Sequence, residues 1–448
     1  MIIALQYILS LFFIYKILKT SGLDRFIWYL ASITLVSTAF NFYNGIAITK
    51  GHIFFVFIFL TSLFFEGKLK LRYIKQCPLY IPLMIVFISY LCIGFFDERL
   101  NPLVGIYRGT YNYIQTYGSL FLGWLSIYDK KIEMPNITKK LTTIALIFTI
   151  YGIFTFLTKT NPVIDALGHA DRFVFENANA TFRSFLVSGF LLESGVYGLS
   201  CFLFLMFLWT FKPKRHKKQT TVMALLFVSI FLTGTRSIMI PAITGLIIYT
   251  LIIFNVKEKI TSIIGGTLII AFIFYFLPNS VGTYINEIFS AIIDVILPGG
   301  SGGADLGGSS IDARDMQITA AFTKYLPENL FFGHGFNYFQ EVIIPFNNGV
   351  NDNELLGMES YLCFLGVEYG LVNIICIIIF FICAIVYTIK NRLVNLKLFA
   401  VLLSIIMTFI IYLITAYMGN SWLYAMPVIG VIIGFVELTK KNGVITNN

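Results

Sequence analysis

The sequence predicts an all-α integral membrane fold, a polytopic bundle of about 12–14 transmembrane helices with a long, partly helical loop on the face away from the cytoplasm. Three observations predict it. Hydrophobic residues make up 57% of the 448-residue chain and charged residues 12%, with a mean hydropathy of +0.82; soluble domains of this size do not have such a composition. Apolar stretches long enough to span a bilayer recur from end to end. Most of the basic residues fall in alternate connectors between those stretches, which fixes an orientation.

In chain order the spanning stretches are 2–18, 26–42, 52–66, 79–96, 111–128, 141–158, 189–211, 220–235, 237–255, 260–277, 357–389, 398–416 and 421–438. They form one polytopic membrane domain over residues 1–448. No basic region precedes the first stretch and no small-residue cleavage site follows it, so it is expected to remain as a helix. The connectors Lys16 to Arg25, Lys68 to Lys75, Lys130 to Lys140, Lys212 to Lys218, Lys257 to Lys259, Lys390 to Lys397 and Lys440 to Lys441 carry most of the 32 Lys and Arg residues. By the positive-inside rule these connectors are cytoplasmic. The exceptions are Lys50, Arg99, Arg108, Lys159, Arg172, Arg183, Arg236, Arg314 and Lys324, all on the opposite face. The net charge of +9 is therefore a topology signal and a set of contacts to membrane lipids, and implies no nucleic-acid partner. Cys92, Cys201, Cys363, Cys376 and Cys383 lie in apolar runs and Cys77 at a cytoplasmic edge, without metal-ligand spacing.

Two segments on the non-cytoplasmic face are too long to be turns: 158–188 and 278–356. In the second, Ile285, Ile288, Phe289, Ile292 and Ile293 recur at helical spacing over 281–296, the pattern of a helix lying on the membrane surface. A glycine-rich linker follows. Asp312 is placed to cap a further helix, ended by Pro327, with Arg314 in its first turn. Acidic residues outnumber Arg314 and Lys324 in this loop, so it is no general anion trap. Cationic character on this face comes from single arginines at helix ends, chiefly Arg183 and Arg236, which are costly beside lipid unless they snorkel or meet an anion.

No phosphate-binding glycine loop with its lysine, zinc-ligand pair or nucleophile elbow is present. The cytoplasmic connectors are too short for a nucleotide-binding domain. A lipid-coupled enzyme, a transporter or a structural subunit remains. A transporter would carry internal repeats and mid-helix charges, whereas here no repeat is evident and charges cluster at helix ends.

The strings RSFLVSGFLLESGVYG at 183–198, TGTRS at 233–237, LFFGHGFNYF at 330–339 and ESYLCFLGVEYGL at 359–371 follow one another around the long loop. In that order they resemble the O-antigen polymerase and O-antigen ligase superfamily of bacterial envelopes. The resemblance implies a glycosyltransferase of the bacterial inner membrane with a periplasmic active site beneath the 278–356 loop. It further implies an undecaprenyl-pyrophosphate-linked oligosaccharide as donor and as acceptor, a chain-length regulator as partner, no cofactor and no metal. The segment from Arg183 to Glu193 resembles the polymerase pattern of Arg, an apolar run and Glu-Pro, with Ser194 in place of Pro. Ligases carry His-Asn at the start of the helix after the loop, then Leu, Leu, Glu and Gly; the corresponding residues are Glu359, Ser360, Leu362, Leu365, Glu368 and Gly370. These features favour an O-antigen repeat-unit polymerase over an O-antigen ligase; a capsule or exopolysaccharide polymerase is a further alternative, and a lipid-linked oligosaccharide flippase the reading from a different class.

Such a transfer needs positioning, one base, and fixed cations aimed at the departing pyrophosphate. Arginine offers a planar fork that matches phosphate oxygens and stays charged beside lipid. Arg236 and Arg183 are the leading pyrophosphate ligands and Arg314 the third. Glu359 and His334 compete as catalytic base: a carboxylate serves in a low-dielectric site, and histidine exchanges protons near neutral pH. Glu193 is expected to brace an arginine.

Overall fold

The computed structural model describes residues 2–36, 41–43, 48–127, 134–158, 160–163, 191–211, 217–233, 236–260, 311–343, 355, 360–415 and 421–442, with residues 2–3, 41–43, 48–53, 134–136, 191–195, 211, 217, 236–237, 311–315, 340 and 442 described in backbone only. Helices account for most of it: Ile2–Lys19, Gly22–Leu35, Gly51–Phe65, Tyr80–Phe96, Pro102–Gln115, Leu120–Ile127, Met134–Thr158, Leu191–Phe211, Lys217–Leu232, Arg236–Ile253, Ile311–Ala320, Tyr361–Lys390, Leu396–Thr415 and Trp422–Asn442. The helical fold class therefore holds. One short antiparallel pair, Asn41–Tyr43 with Ile48–Lys50, departs from it, and the sequence between the strands contains the turn dipeptide Asn44-Gly45.

Among the described residues, Ile137–Thr158, Tyr361–Lys390, Leu396–Thr415 and Trp422–Lys441 are long and apolar enough to cross a membrane by length and composition. Shorter apolar helices accompany them, Tyr80–Phe96 and Ile238–Ile253 included. Along Tyr361–Lys390, the side chains of Ile375, Ile378, Ile382, Val386 and Ile389 are exposed. They recur every three or four residues and form one stripe, which suits contact with lipid tails rather than water.

Several boundaries differ from the hydropathy reading, two of them for identifiable reasons. The second helix begins at Gly22, ahead of the apolar run, because its polar first turn is neutralised by distant partners. Asp24 pairs with Lys140 at 2.6 Å and Arg25 with Glu66 at 2.7 Å, and Arg25 also donates to the carbonyls of Ile17 and Thr20. The stretch expected at 111–128 starts at Pro102 instead, where the Asn101 side chain accepts from the Leu103 amide at 3.0 Å and proline occupies the first helical position. It then breaks at Thr116 before resuming at Leu120. Asp312 and Arg314 lie in the first turn of Ile311–Ala320, which continues through the π-helical Ala321–Tyr325 to end at Glu328, just past Pro327. Of the helix expected at 260–277 all but its first residue, and the whole of that expected at 281–296, lie outside the described residues.

Three helices frame the region of interest. Tyr80–Phe96 and Pro102–Gln115 approach backbone to backbone: a β-carbon at Gly105 would overlap the Gly94 carbonyl, and one at Gly109 the Tyr90 carbonyl. Gly105 and Gly109 stand four apart, the small-residue spacing that lets membrane helices come this close. The Tyr361–Lys390 helix packs on Tyr80–Phe96, where the buried Asn373 amide donates to Ser89 Oγ at 2.7 Å. Tyr90 sits at the centre of this contact, with its ring 5.7 Å from that of Phe336 and 5.4 Å from that of Tyr369.

Candidate functional site

The Tyr361–Lys390 helix is broken at Gly370, whose φ of 71° and ψ of −179° lie where essentially only glycine is found. A break frees backbone groups that must find other partners inside a protein. The segment 330–335 supplies them. Leu371 N–H donates to Leu330 O at 2.8 Å and Val372 N–H to Phe331 O at 3.2 Å, while His334 N–H donates to Val367 O and Gly335 N–H to Glu368 O, both at 2.9 Å. The loop thus pairs with the helix on both sides of the break. Such irregular backbone at a helix interior is tolerated because protein, not lipid, surrounds it.

Gly333 and Gly335, with φ of 66° and 88°, make the insertion sterically feasible. A β-carbon at Gly333 would collide with the Glu368 backbone, one at Gly370 with Gly333 N and Phe331 O, and one at Gly335 with the Asp97 carboxylate. The Gly-His-Gly triplet is therefore a docking element, with His334 held between two glycines that touch different neighbours.

Carboxylates secure the loop from two sides. Glu368, 1% exposed, accepts from the Phe339 amide at 3.0 Å and the Asn337 amide at 3.3 Å. Asp97, with a fully buried side chain, accepts from Arg99 N, Nε and Nη2 at 3.1, 3.0 and 2.9 Å. Arg99 Nη2 also donates to Phe336 O at 2.9 Å. Glu341 closes the cluster, 2.8 Å from Arg108 Nη1 and 3.5 Å from Arg99 Nη1.

His334 uses both ring nitrogens. The Asn329 amide lies 3.1 Å from Nδ1 and acts as its donor, which leaves Nε2–H to donate to Tyr325 O at 3.0 Å. The Glu328 carboxylate lies 3.5 Å from Nε2. The Tyr338 ring stacks on the imidazole at 4.4 Å, and the Arg99 guanidinium lies 5.5 Å from the Tyr338 ring centre. Burial pushes the Tyr338 phenol above its ordinary pKa; Tyr325 and Glu328 act in the same sense and Arg99 in the opposite one. Among the described residues no group of three His, Cys, Asp or Glu is placed to hold a metal ion.

Of the site residues expected from sequence, His334 is the one whose side chain is described. Arg236 is the first residue of Arg236–Ile253, Arg314 lies in the first turn of Ile311–Ala320, and Glu193 lies in Leu191–Phe211, each described in backbone only. Arg183 and Glu359 lie outside the described residues. His334 is brought together instead with Asp97, Arg99, Glu341 and Glu368, which sequence reasoning did not select. Signals for some of them existed: Arg99 and Arg108 belong to the sparse basic set on the non-cytoplasmic face, and Glu368 and Gly370 fall on the Glu and Gly positions of the family pattern.

Residues 221–378 match the family model described as O-antigen ligase. No curated protein matches the chain. The matched stretch takes in Arg236, Arg314, His334, Glu359, Glu368 and Gly370, and so both halves of the loop–helix junction. Asp97, Arg99, Arg108, Arg183 and Glu193 lie outside it.

Proposed function

Taking the chain as a member of the O-antigen polymerase and ligase superfamily, we propose that it is an O-antigen repeat-unit polymerase of the bacterial inner membrane. It transfers the growing glycan from undecaprenyl pyrophosphate to the non-reducing end of the next lipid-linked repeat unit, at the periplasmic face. The observation that carries this reading is the family match over 221–378, which encloses the loop–helix junction bearing His334. The polymerase assignment within the family rests on the Arg183 to Glu193 segment and on Glu359 standing where ligases keep histidine.

In the proposed reaction an acceptor hydroxyl oxygen bonds to the anomeric carbon of the donor. The anomeric carbon's bond to the pyrophosphate oxygen breaks, its electron pair leaves with undecaprenyl pyrophosphate, and the hydroxyl proton passes to a base. Arg236 and Arg183, with Arg314, take the charge that grows on the leaving group. Glu359 leads as base. His334 serves in that role only when Asn329 releases Nδ1. Glu193 braces an arginine.

The test is direct. Purified full-length protein is incubated with undecaprenyl-pyrophosphate-linked repeat units, and the products are resolved by size. A ladder of increasing length supports the polymerase. The family description itself favours a second reading, the ligase; a single transfer to lipid A core, with no ladder, would establish that one instead.

A further inference from the structure

We propose that Asp97, Arg99 and Arg108 are positioning residues, a clamp from the chain's first third that holds the His334 loop in register for the reaction. The proposal rests on the glycosyl-transfer reading above for its catalytic consequence, and on geometry alone for the clamp. Each member has a defined grip. Asp97 fixes Arg99 through three hydrogen bonds, and its buried carboxylate fills the space that a side chain at Gly335 would need. Arg99 reaches across to the Phe336 carbonyl, 237 residues away in sequence. Arg108 and Arg99 meet on Glu341, which follows directly on the segment held by Glu368. Arg99 lies beside the same Tyr338 ring that stacks on His334.

Charge decides between a clamp and an anion site. Two arginines face two carboxylates, Asp97 and Glu341, so the cluster is formally neutral and offers no surplus cation to a phosphate. An isolated exposed ion pair is worth little, but this network is anchored on a fully buried Asp97 and on backbone carbonyl and glycine contacts. Arg108 is itself placed by the close approach of Gly105 and Gly109 to the neighbouring helix. The site is therefore incomplete without a part of the chain that the family match does not reach.

The test uses Arg108→Ala, Glu341→Ala and the double variant of the full-length protein in nanodiscs, since these two partly exposed side chains are the clamp members least needed for folding. Two readouts are taken: the rate at which diethyl pyrocarbonate modifies His334, followed by mass spectrometry, and steady-state polymerisation kinetics. Each single variant is expected to raise His334 modification and to lower kcat roughly tenfold, with the donor KM within about twofold. The double variant should do no worse than Glu341→Ala alone, because that substitution already removes the Arg108 contact together with the Arg99 one. Arg108→Lys should recover part of the loss. Unchanged His334 modification, or losses that multiply in the double variant, would overturn the clamp. Increased modification with unchanged kcat would overturn its positioning role. A wild-type protein that transfers no glycan, yet shows the same clamp-dependent modification, would overturn the proposed function and leave the clamp standing.

Discussion

Replacing Gly370 by alanine tests whether the loop truly inserts into a broken helix. The backbone there has φ of 71° and ψ of −179°, and holding a residue other than glycine in that region costs about 1–3 kcal/mol. The new β-carbon would also lie 2.5 Å from Gly333 N and from Phe331 O. Both are backbone atoms and cannot swing aside as a flexible side chain would. Relief requires either moving the loop off the helix or rotating Gly370 into helical geometry. Either route gives up hydrogen bonds among the four that join 330–335 to 367–372, each worth about 1 kcal/mol net. Docking should therefore weaken by about 3 kcal/mol, which corresponds to roughly a hundredfold in an equilibrium. Hydrogen exchange read by mass spectrometry should show the amides of His334, Gly335, Leu371 and Val372 exchanging roughly a hundredfold faster. Amides of Leu396–Thr415, packed elsewhere on the same helix, should hold their protection. Unchanged exchange at all four loop and helix amides would refute the inserted-loop reading; uniform acceleration across the protein would show that the substitution acts on the whole fold instead.

Other predictions address orientation and chemistry. Cysteines introduced at Gly302 and Lys159 should react with an impermeant thiol reagent applied from the periplasm, and cysteines at Lys214 and Lys217 should not; the reverse pattern would invert the topology and remove the periplasmic active site. Arg236→Ala and Arg183→Ala should each abolish polymer at near-normal protein abundance, with poor rescue by Arg→Lys because the planar fork is lost; full activity of both Arg236 variants would reduce that residue to a snorkelling anchor. Glu359→Gln should block elongation while lipid-linked substrate still binds, and His334→Ala should slow the reaction without stopping it; a dead His334→Ala beside an active Glu359→Gln would transfer the role of base to His334.

Much of the fold was legible because the signals were local. Apolar run length placed Tyr80–Phe96, Tyr361–Lys390, Leu396–Thr415 and Trp422–Asn442 within a few residues. Hydropathy misplaced the start of Gly22–Leu35 because Asp24 and Arg25 interrupt the apolar pattern, and the partners that neutralise them lie 116 and 41 residues away. The candidate site follows the same division. His334 stands out in sequence as a candidate base, and Glu368 and Gly370 as members of a spaced pattern. Asp97 and Glu341 do not stand out, since an acidic residue in a polar connector is ordinary until the fold sets an arginine against it. The Arg108–Glu341 pair spans 233 residues, and only the packing of three helices brings it together.

The placement of the carboxylates also sorts their chemistry. Glu368 has one oxygen on the Phe339 amide and the other on the Asn337 amide, in a position 1% exposed, so both oxygens are shielded and engaged in holding the loop. Asp97 is committed to Arg99 in the same way. A base must meet the hydroxyl it deprotonates within hydrogen-bond reach, and neither carboxylate presents an open face to one. His334 stands apart, because its Nδ1 partner, Asn329, is an exposed side chain that can exchange for a substrate hydroxyl without opening the core. The two proposed bases are His334 on the loop and Glu359, one residue before the Ser360 that precedes the helix. The inserted loop ties the two segments through His334 N–H to Val367 O. Loss of that tie, by Gly370→Ala for example, should lower the rate whichever of them takes the proton.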